Sequence, residues 1–320
     1  MVSSHHQLLS VSVAPKPFLK WAGGKTQLIK QITKFLPQAL NNGSITKYVE
    51  PFIGGGALFF LFAYNYPIKE IFISDVNADL VLTYKTIQRN VDGLIELLSN
   101  IEKKYLSLNL NHRAEYFYKV RSQFNSQKDR IDLLKYNSGW VERSAQLIFL
   151  NKTCFNGLFR VNSKGEFNVP IGKYKKPSLG NPENLRSVAK ILQRTEIIQG
   201  DFSKCESFID SNTFVYFDPP YRPISNTSNF TSYSHQTFDD SEQLRLRDFF
   251  KKLDKKGAFL LLSNSDPKNQ NPEDDFFEKL YADYRIERLK ATRHINSNSL
   301  KRNSINELLI MNYEIEVHPS

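Results

Sequence analysis

The stretch Ile45–Asp75, ITKYVEPFIGGGALFFLFAYNYPIKEIFISD, decides the fold. Ile45–Glu50 reads as a short strand that stops at Pro51. The turn Gly54-Gly55-Gly56 follows, and Ala57–Tyr64 is an apolar helix. Ile68–Ser74 is a second strand, closed by Asp75. Strands alternating with helices imply a parallel sheet. A glycine turn between strand and helix lets a ligand approach the backbone closely. For a lone glycine triplet an ordinary tight turn is the better reading. Asp75 changes that, because an acid at the end of the second strand, about 20 residues on, binds ribose hydroxyls. Turn and acid together fit NAD and S-adenosylmethionine alike. The triplet is not Gly-x-Gly-x-x-Gly, so a dehydrogenase is disfavoured.

Outward from this unit the helical pattern continues. Asn77 or Asp79 starts a helix that runs to about Arg89, and Leu80–Leu150 as a whole reads as helical. Asn151–Pro177, rich in Asn, Gly, Lys and aromatics, reads as loops or a hairpin. The sheet rhythm then returns with strands at Thr195–Gln199 and Phe214–Phe217. A helix at Ser241–Lys256 ends at Gly257, and a strand follows at Ala258–Ser263. Tyr284–Lys290 and Glu307–Tyr313 read as a closing antiparallel pair. The expected architecture is one α/β domain split in sequence, residues 16–80 and 181–320, around a helical, basic insert at 81–180. Residues 1–15 read as a tail.

The chain has 320 residues, 40% hydrophobic and 24% charged, enough to bury a core. Lys plus Arg number 43 against 33 acids, a formal net charge of +10, which favours polyanionic partners. The excess is clustered. Asn151–Lys176 holds six basic residues, Lys152, Arg160, Lys164, Lys173, Lys175 and Lys176, against Glu166. Arg285–Arg302 holds another six, Arg285, Arg288, Lys290, Arg293, Lys301 and Arg302, against Glu287. A solvated surface is the plain alternative to a nucleic-acid groove. Two cysteines, Cys154 and Cys205, make neither a disulfide framework nor a zinc cluster, and a cytoplasmic protein is expected. The apolar run Leu8–Ala14 is broken by serines and lacks preceding Lys or Arg, unlike a signal peptide. No run approaches the roughly 20 apolar residues of a membrane span.

A second motif, Asp218-Pro219-Pro220-Tyr221, follows the apolar strand Phe214–Phe217. The carboxyl end of a strand is where α/β sheets place ligands. Proline has no N–H, so this turn offers acceptors only: the Asp218 carboxylate and the Pro219 carbonyl. An exocyclic amine carries two N–H donors and needs two acceptors. Holding both turns its electrons toward an electrophile, and Tyr221 supplies a face on which a base stacks. A structural turn with a buried tyrosine is the alternative. A third segment, Phe18-Leu19-Lys20-Trp21-Ala22-Gly23-Gly24-Lys25-Thr26, is no phosphate loop, since Leu19 stands where such a loop needs glycine. Trp21 and Lys25 remain candidates for a pocket, with core packing the alternative for Trp21.

In their order, these motifs resemble the Dam-type DNA adenine methyltransferases, over nearly the whole chain after residue 15. Asn156–Asn162 and Gly165–Pro170 look like that family's DNA-reading segment. Asn229–Tyr233 and Leu262–Ser265 match as well. The resemblance implies a Rossmann-like S-adenosylmethionine-dependent methyltransferase domain with an inserted helical target-recognition domain. It implies that Trp21, Lys25, Phe52, Gly54, Asp75, Asp201 and Asp218 bind S-adenosylmethionine, with S-adenosylhomocysteine as product and no metal. Asp218, Pro219, Pro220 and Tyr221 would hold the target adenine. Lys20, Leu158, Arg160 and Pro170 match base-reading positions, Phe155 an aromatic wedge with Asn156 beside it, and together they point to GATC. The expected substrate is duplex DNA with the adenine extruded, and the enzyme is expected to act as a monomer, with a cognate restriction endonuclease as a candidate partner. A different adenine-containing site, N4-cytosine methylation and a catalytically dead DNA-binding module are the alternatives.

Overall fold

The structure, a computed structural model, describes residues 13–21, 23–130, 132–222, 238–292 and 304–315. Seven strands form one sheet: β1 (Lys47–Glu50), β2 (Glu70–Asp75), β3 (Thr195–Gln199), β4 (Thr213–Phe217), β5 (Phe259–Ser265), β6 (Arg285–Thr292) and β7 (Ser304–Met311), in the order β3-β2-β1-β4-β5-β7-β6. The first five are parallel. β7 runs antiparallel to both β5 and β6, as the closing pair predicted from sequence requires. Among the described residues the helices are α1 (Ile29–Ile32), α2 (Ala57–Asn65), α3 (Ala78–Ser107), α4 (Leu110–Ser126), α5 (Gly139–Thr153), α6 (Pro182–Leu192), α7 (Asp240–Asp254) and α8 (Phe276–Leu280). This is the α/β methyltransferase-type fold expected.

Alternation along the strands builds two cores. Tyr48, Ile71, Ile73, Phe214 and Tyr216 point into one, which includes buried residues of α2, α3, α5 and α6. Val49, Phe72, Val215 and Phe217 point into the other, against α7 and α8. Strands covered on both faces are apolar throughout, and β4 is buried at all five residues. The first core continues without interruption into the middle of the chain, through Leu94, Phe117, Val120, Phe149 and Val169.

Capping explains several boundaries. Asn77 accepts the Leu80 N–H and starts α3. The helix then departs from helical geometry at Asn90, whose side chain accepts the Gly93 N–H and so restarts it. That restart is why the first helical pattern stops near Arg89. Sequence reading missed α6, although Asn181 caps it and Pro182 opens it, a standard helix start. The matched segment Asn229–Tyr233 and the basic residues Arg293, Lys301 and Arg302 lie outside the described residues, as does most of the tail.

The chain adds β2 and β3 on one side of β1, then returns to β4 and β5 on the other. The order reverses between β1 and β4, and their carboxyl ends are where such a sheet binds ligands.

Candidate active site and nucleic-acid interface

Three segments meet at that reversal. The first is the glycine turn after β1, tied to the end of β2. Asp75 Oδ2 accepts the Gly54 N–H at 3.1 Å and Oδ1 accepts the Asn77 N–H at 2.9 Å. Burial pushes the Asp75 carboxyl up to about 6, against those two donors, which lower it. Tyr84 donates to the Gly54 carbonyl at 3.1 Å. Gly54 has φ +45°, and a Cβ there would lie 2.8 Å from Trp21 Cδ1. Only glycine lets the indole rest on the turn. Phe52, half-buried, packs on Phe202 and meets the edge of Phe238.

Asp201 caps the turn at Phe202–Phe208, and Arg245 grips its carboxylate at 2.9 and 2.6 Å. Partial burial works to raise that carboxyl, but Arg245 and Ser203 outweigh it and hold it at about 2. In this structure, then, the Asp201 side chain turns to Arg245.

The second segment is Asp218–Tyr221, directly after β4. Lys25 Nζ lies 2.7 Å from Asp218 Oδ1 and 2.8 Å from the Tyr221 hydroxyl. Asp218 Oδ1 also accepts from Ser263 Oγ at 3.1 Å, and Ser263 is bonded to Tyr216. Among the described residues, neither Asp218 Oδ2 nor the Pro219 carbonyl receives a hydrogen bond. Pro219 is buried and Tyr221 half-buried. Behind the turn, Gln243 donates to the Pro220 carbonyl at 3.4 Å and accepts from Asn264 at 3.3 Å. Lys25 itself is buried. Desolvation works against its charge, yet Asp218, Tyr221, Tyr216 and Glu307 together keep it protonated well above its ordinary range.

The third segment is the turn and hairpin after α5. Isolated bridges join Cys154 to Ile171 and Val161 to Phe167. Phe155 is 52% exposed, its ring open to solvent at the start of this turn. Asn156 has φ +55°, the one non-glycine residue with positive φ among the described residues. Arg160 is exposed, and its Nε donates to Asn168 Oδ1 at 2.8 Å. Pro170 is exposed, Leu158 half-buried, and the Pro170 carbonyl accepts the Phe155 N–H at 2.9 Å. Lys20 joins this group from far away in sequence. Buried Asn151 accepts the Lys20 N–H and donates to the carbonyls of Lys20 and Gly157, at 2.8 to 2.9 Å. Lys20 Nζ reaches Tyr174, 4.5 Å above its ring. Between half-buried Leu158 and exposed Arg160, Phe159 turns inward and stacks on Trp21 at 5.4 Å.

The structure therefore brings Trp21, Lys25, Phe52, Gly54, Asp75 and Asp218 to one end of the sheet. Lys20, Phe155, Asn156, Leu158, Arg160 and Pro170 share one hairpin surface beside it. Sequence reading missed Asn151, Gln243, Glu50 and Glu307. Glu50 and Glu307 had a signal, an acid next to an apolar stretch: Glu50 directly after Tyr48-Val49, Glu307 directly before Leu308–Met311. Among the described residues no three His, Cys, Asp or Glu side chains group as a metal site, and no helix is long and apolar enough to cross a membrane.

The comparisons with known proteins agree with this geometry. The profile of the D12 class N6 adenine-specific DNA methyltransferases matches residues 21–295. The chain is 50% identical over 299 residues to the type II methyltransferase M.MjaIII of Methanocaldococcus jannaschii, spanning 93% of this chain and 99% of that one. It is 41% identical over 300 residues to the type II methyltransferase M1.LlaDCHI of Lactococcus lactis subsp. cremoris, spanning 93% and 95%. With the DNA adenine methylase of Haemophilus influenzae it shares 34% over 310 residues, 97% and 98%. A turn of two acceptors at the end of β4, a glycine turn answered by Asp75, and a match across most of the chain converge: the chain belongs to the D12 class of N6 adenine-specific DNA methyltransferases.

Proposed function

We propose that the protein transfers a methyl group from S-adenosylmethionine to N6 of an adenine extruded from duplex DNA, within GATC. The observation that carries this reading is the pair of acceptors, Asp218 Oδ2 and the Pro219 carbonyl, that the turn places at the carboxyl end of β4 beside the Gly54–Asp75 turn. The amine's two N–H groups fit those two acceptors. Developing positive charge on the nitrogen is stabilised by oxygens already in place. Tyr221 offers a face for the extruded base, and Phe155, exposed on the reading hairpin, is suited to fill the space left in the stack.

Asp75 fits the adenosyl group: its carboxylate is fixed by two backbone N–H groups and remains half-exposed, an acceptor for hydroxyls. Trp21, Lys25, Phe52, Gly54, Asp75 and Asp201 are the residues proposed to hold the cofactor. When bound, S-adenosylmethionine supplies an electrophilic methyl group on a sulfonium and leaves as S-adenosylhomocysteine. The middle of the chain, 81–180, is the proposed target-recognition part, with Lys20, Leu158, Arg160 and Pro170 reading bases. The whole chain's formal net charge of +10 suits the phosphate backbone. We further propose that it acts as a monomer in the cytoplasm. Two relatives are named type II methyltransferases, which supports a cognate restriction endonuclease as partner.

Transfer of labelled methyl groups to duplex DNA, followed by nucleoside analysis and methylation-site sequencing, tests this. N6-methyladenine within GATC is expected. Asp218→Ala is expected to lose at least about 100-fold in rate while DNA binding persists, because affinity comes largely from Lys and Arg on phosphates. A mutant that retains most of its turnover overturns the assignment of Asp218.

A further inference from the structure

The reading above gives Glu307 no role. It stands on β7, opposite Ser265 of β5 and Leu289 of β6. The next four residues, Leu308, Leu309, Ile310 and Met311, are all buried and apolar. A carboxylate is costly in such surroundings unless something charged faces it. Glu307 is 9% exposed, and its Oε2 receives no hydrogen bond among the described residues. That oxygen lies 3.5 Å from Lys25 Nζ.

The same ammonium sits 2.7 Å from Asp218 Oδ1. At that distance, and out of water, a lone lysine largely cancels the negative potential that Asp218 offers to a nitrogen gaining positive charge. A second carboxylate restores it. With Glu307 ionised, Lys25, Asp218 and Glu307 carry one net negative charge; with Glu307 neutral they carry none.

We propose that Glu307 is a positioning residue for adenine methylation: it shares the Lys25 ammonium with Asp218 and so leaves the acceptor turn negative toward the target nitrogen. This rests on the function proposed above. Among the described residues, the charged and titratable groups facing Glu307 are Lys25 from the N-terminal segment and Asp218 and Tyr221 from the turn after β4. Burial raises the Glu307 carboxyl above its ordinary range, Lys25 pulls it back, and Asp218 pushes it up again, with a net rise. As pH falls through that raised range Glu307 takes a proton, the cluster becomes neutral and the rate falls.

The test is the pH profile of single-turnover methylation, at saturating DNA and cofactor, for wild type, Glu307→Gln and Glu307→Asp. Circular dichroism and cofactor binding establish that each variant folds. Glu307→Gln is expected to bind both ligands as wild type does, to react about tenfold more slowly or worse, and to lose the acid limb of the profile. Glu307→Asp keeps the charge and is expected to recover part of the rate and a shifted acid limb. A Glu307→Gln rate equal to wild type overturns the inference. So do equally slow variants that keep the wild-type acid limb, since that marks a merely structural role. Should Glu307→Gln fail to fold, the acid limb of Glu307→Asp decides: shifted supports, superimposable on wild type overturns. A wild-type protein that transfers no methyl group overturns the proposed function together with this inference, whereas a wild-type-like Glu307→Gln overturns this inference alone.

Discussion

At Asp75 two backbone N–H groups hold the carboxylate while burial lifts it to about 6. In the role proposed for Asp75, the ionised form is the acceptor for ribose hydroxyls. Cofactor affinity is therefore expected to rise as pH increases toward 6 and to level off above it. The loss on the acid side is at most about tenfold per pH unit. Asp75→Asn is expected to bind weakly and without this dependence. Calorimetric titration between pH 5 and 8 checks both, and equal affinities for the two proteins rule the role out. Single residues were legible in the sequence where chemistry needs a particular type at a particular strand end, as at Asp75 and Asp218. They were illegible where the partner lies far away in the chain. Nothing local says that Lys25 reaches Asp218, 193 positions on.

At the scale of elements, the reading hairpin depends on one buried amide. Asn151 makes three hydrogen bonds, to Lys20 twice and to Gly157 once. Leucine there leaves a donor and two carbonyls unpaired, so Asn151→Leu is expected to cost roughly 3 kcal/mol in urea unfolding, since each orphaned group costs about 1–3 kcal/mol. Arg160 tests specificity on the same element. Its Nε is already taken by Asn168, which leaves the two terminal nitrogens of the guanidinium to grip one guanine. Arg160→Ala is expected to narrow the rate gap between GATC and duplexes altered at one guanine-bearing pair. Lys175→Ala is expected to weaken all duplexes alike and to lower the salt slope by about one. Steady-state methylation of a single-substitution duplex set distinguishes them, and an equal loss on every duplex for Arg160→Ala moves that residue to the backbone. The hairpin itself was read only as loops or a hairpin. Its bridges are isolated pairs, too short for an alternating pattern to show.

For the whole molecule, the chemistry sets one expectation: full activity in EDTA, since a sulfonium is already activated toward methyl transfer and needs no Lewis acid. Loss of activity in chelator, restored by one particular metal, would refute it. The parallel sheet was legible because its strands are short, apolar and punctuated by Pro, Gly or Asp. The closing pair was legible despite an intervening segment because β7 carries the apolar run Leu308–Met311, bounded by polar residues. The continuity of the core was not. The helical middle reads as a separate insert, yet Phe117, Phe149 and Val169 belong to the same buried cluster as Tyr48 and Phe214. Which helix faces press on the sheet is a tertiary fact that composition does not carry.

Trp21 lies between the two surfaces proposed to take different ligands: one side rests on the Gly54 turn, the other on Phe159 of the hairpin after α5. The chain holds one other tryptophan, Trp140, buried and bonded through its indole N–H to the Asp132 carbonyl, away from this seam. Indole emission responds to changes in packing and solvation, so the molecule contains its own optical probe at the boundary of the two proposed binding surfaces. With Trp140 replaced by phenylalanine, the remaining fluorescence would report the order in which cofactor and DNA arrive, with no dye attached to either.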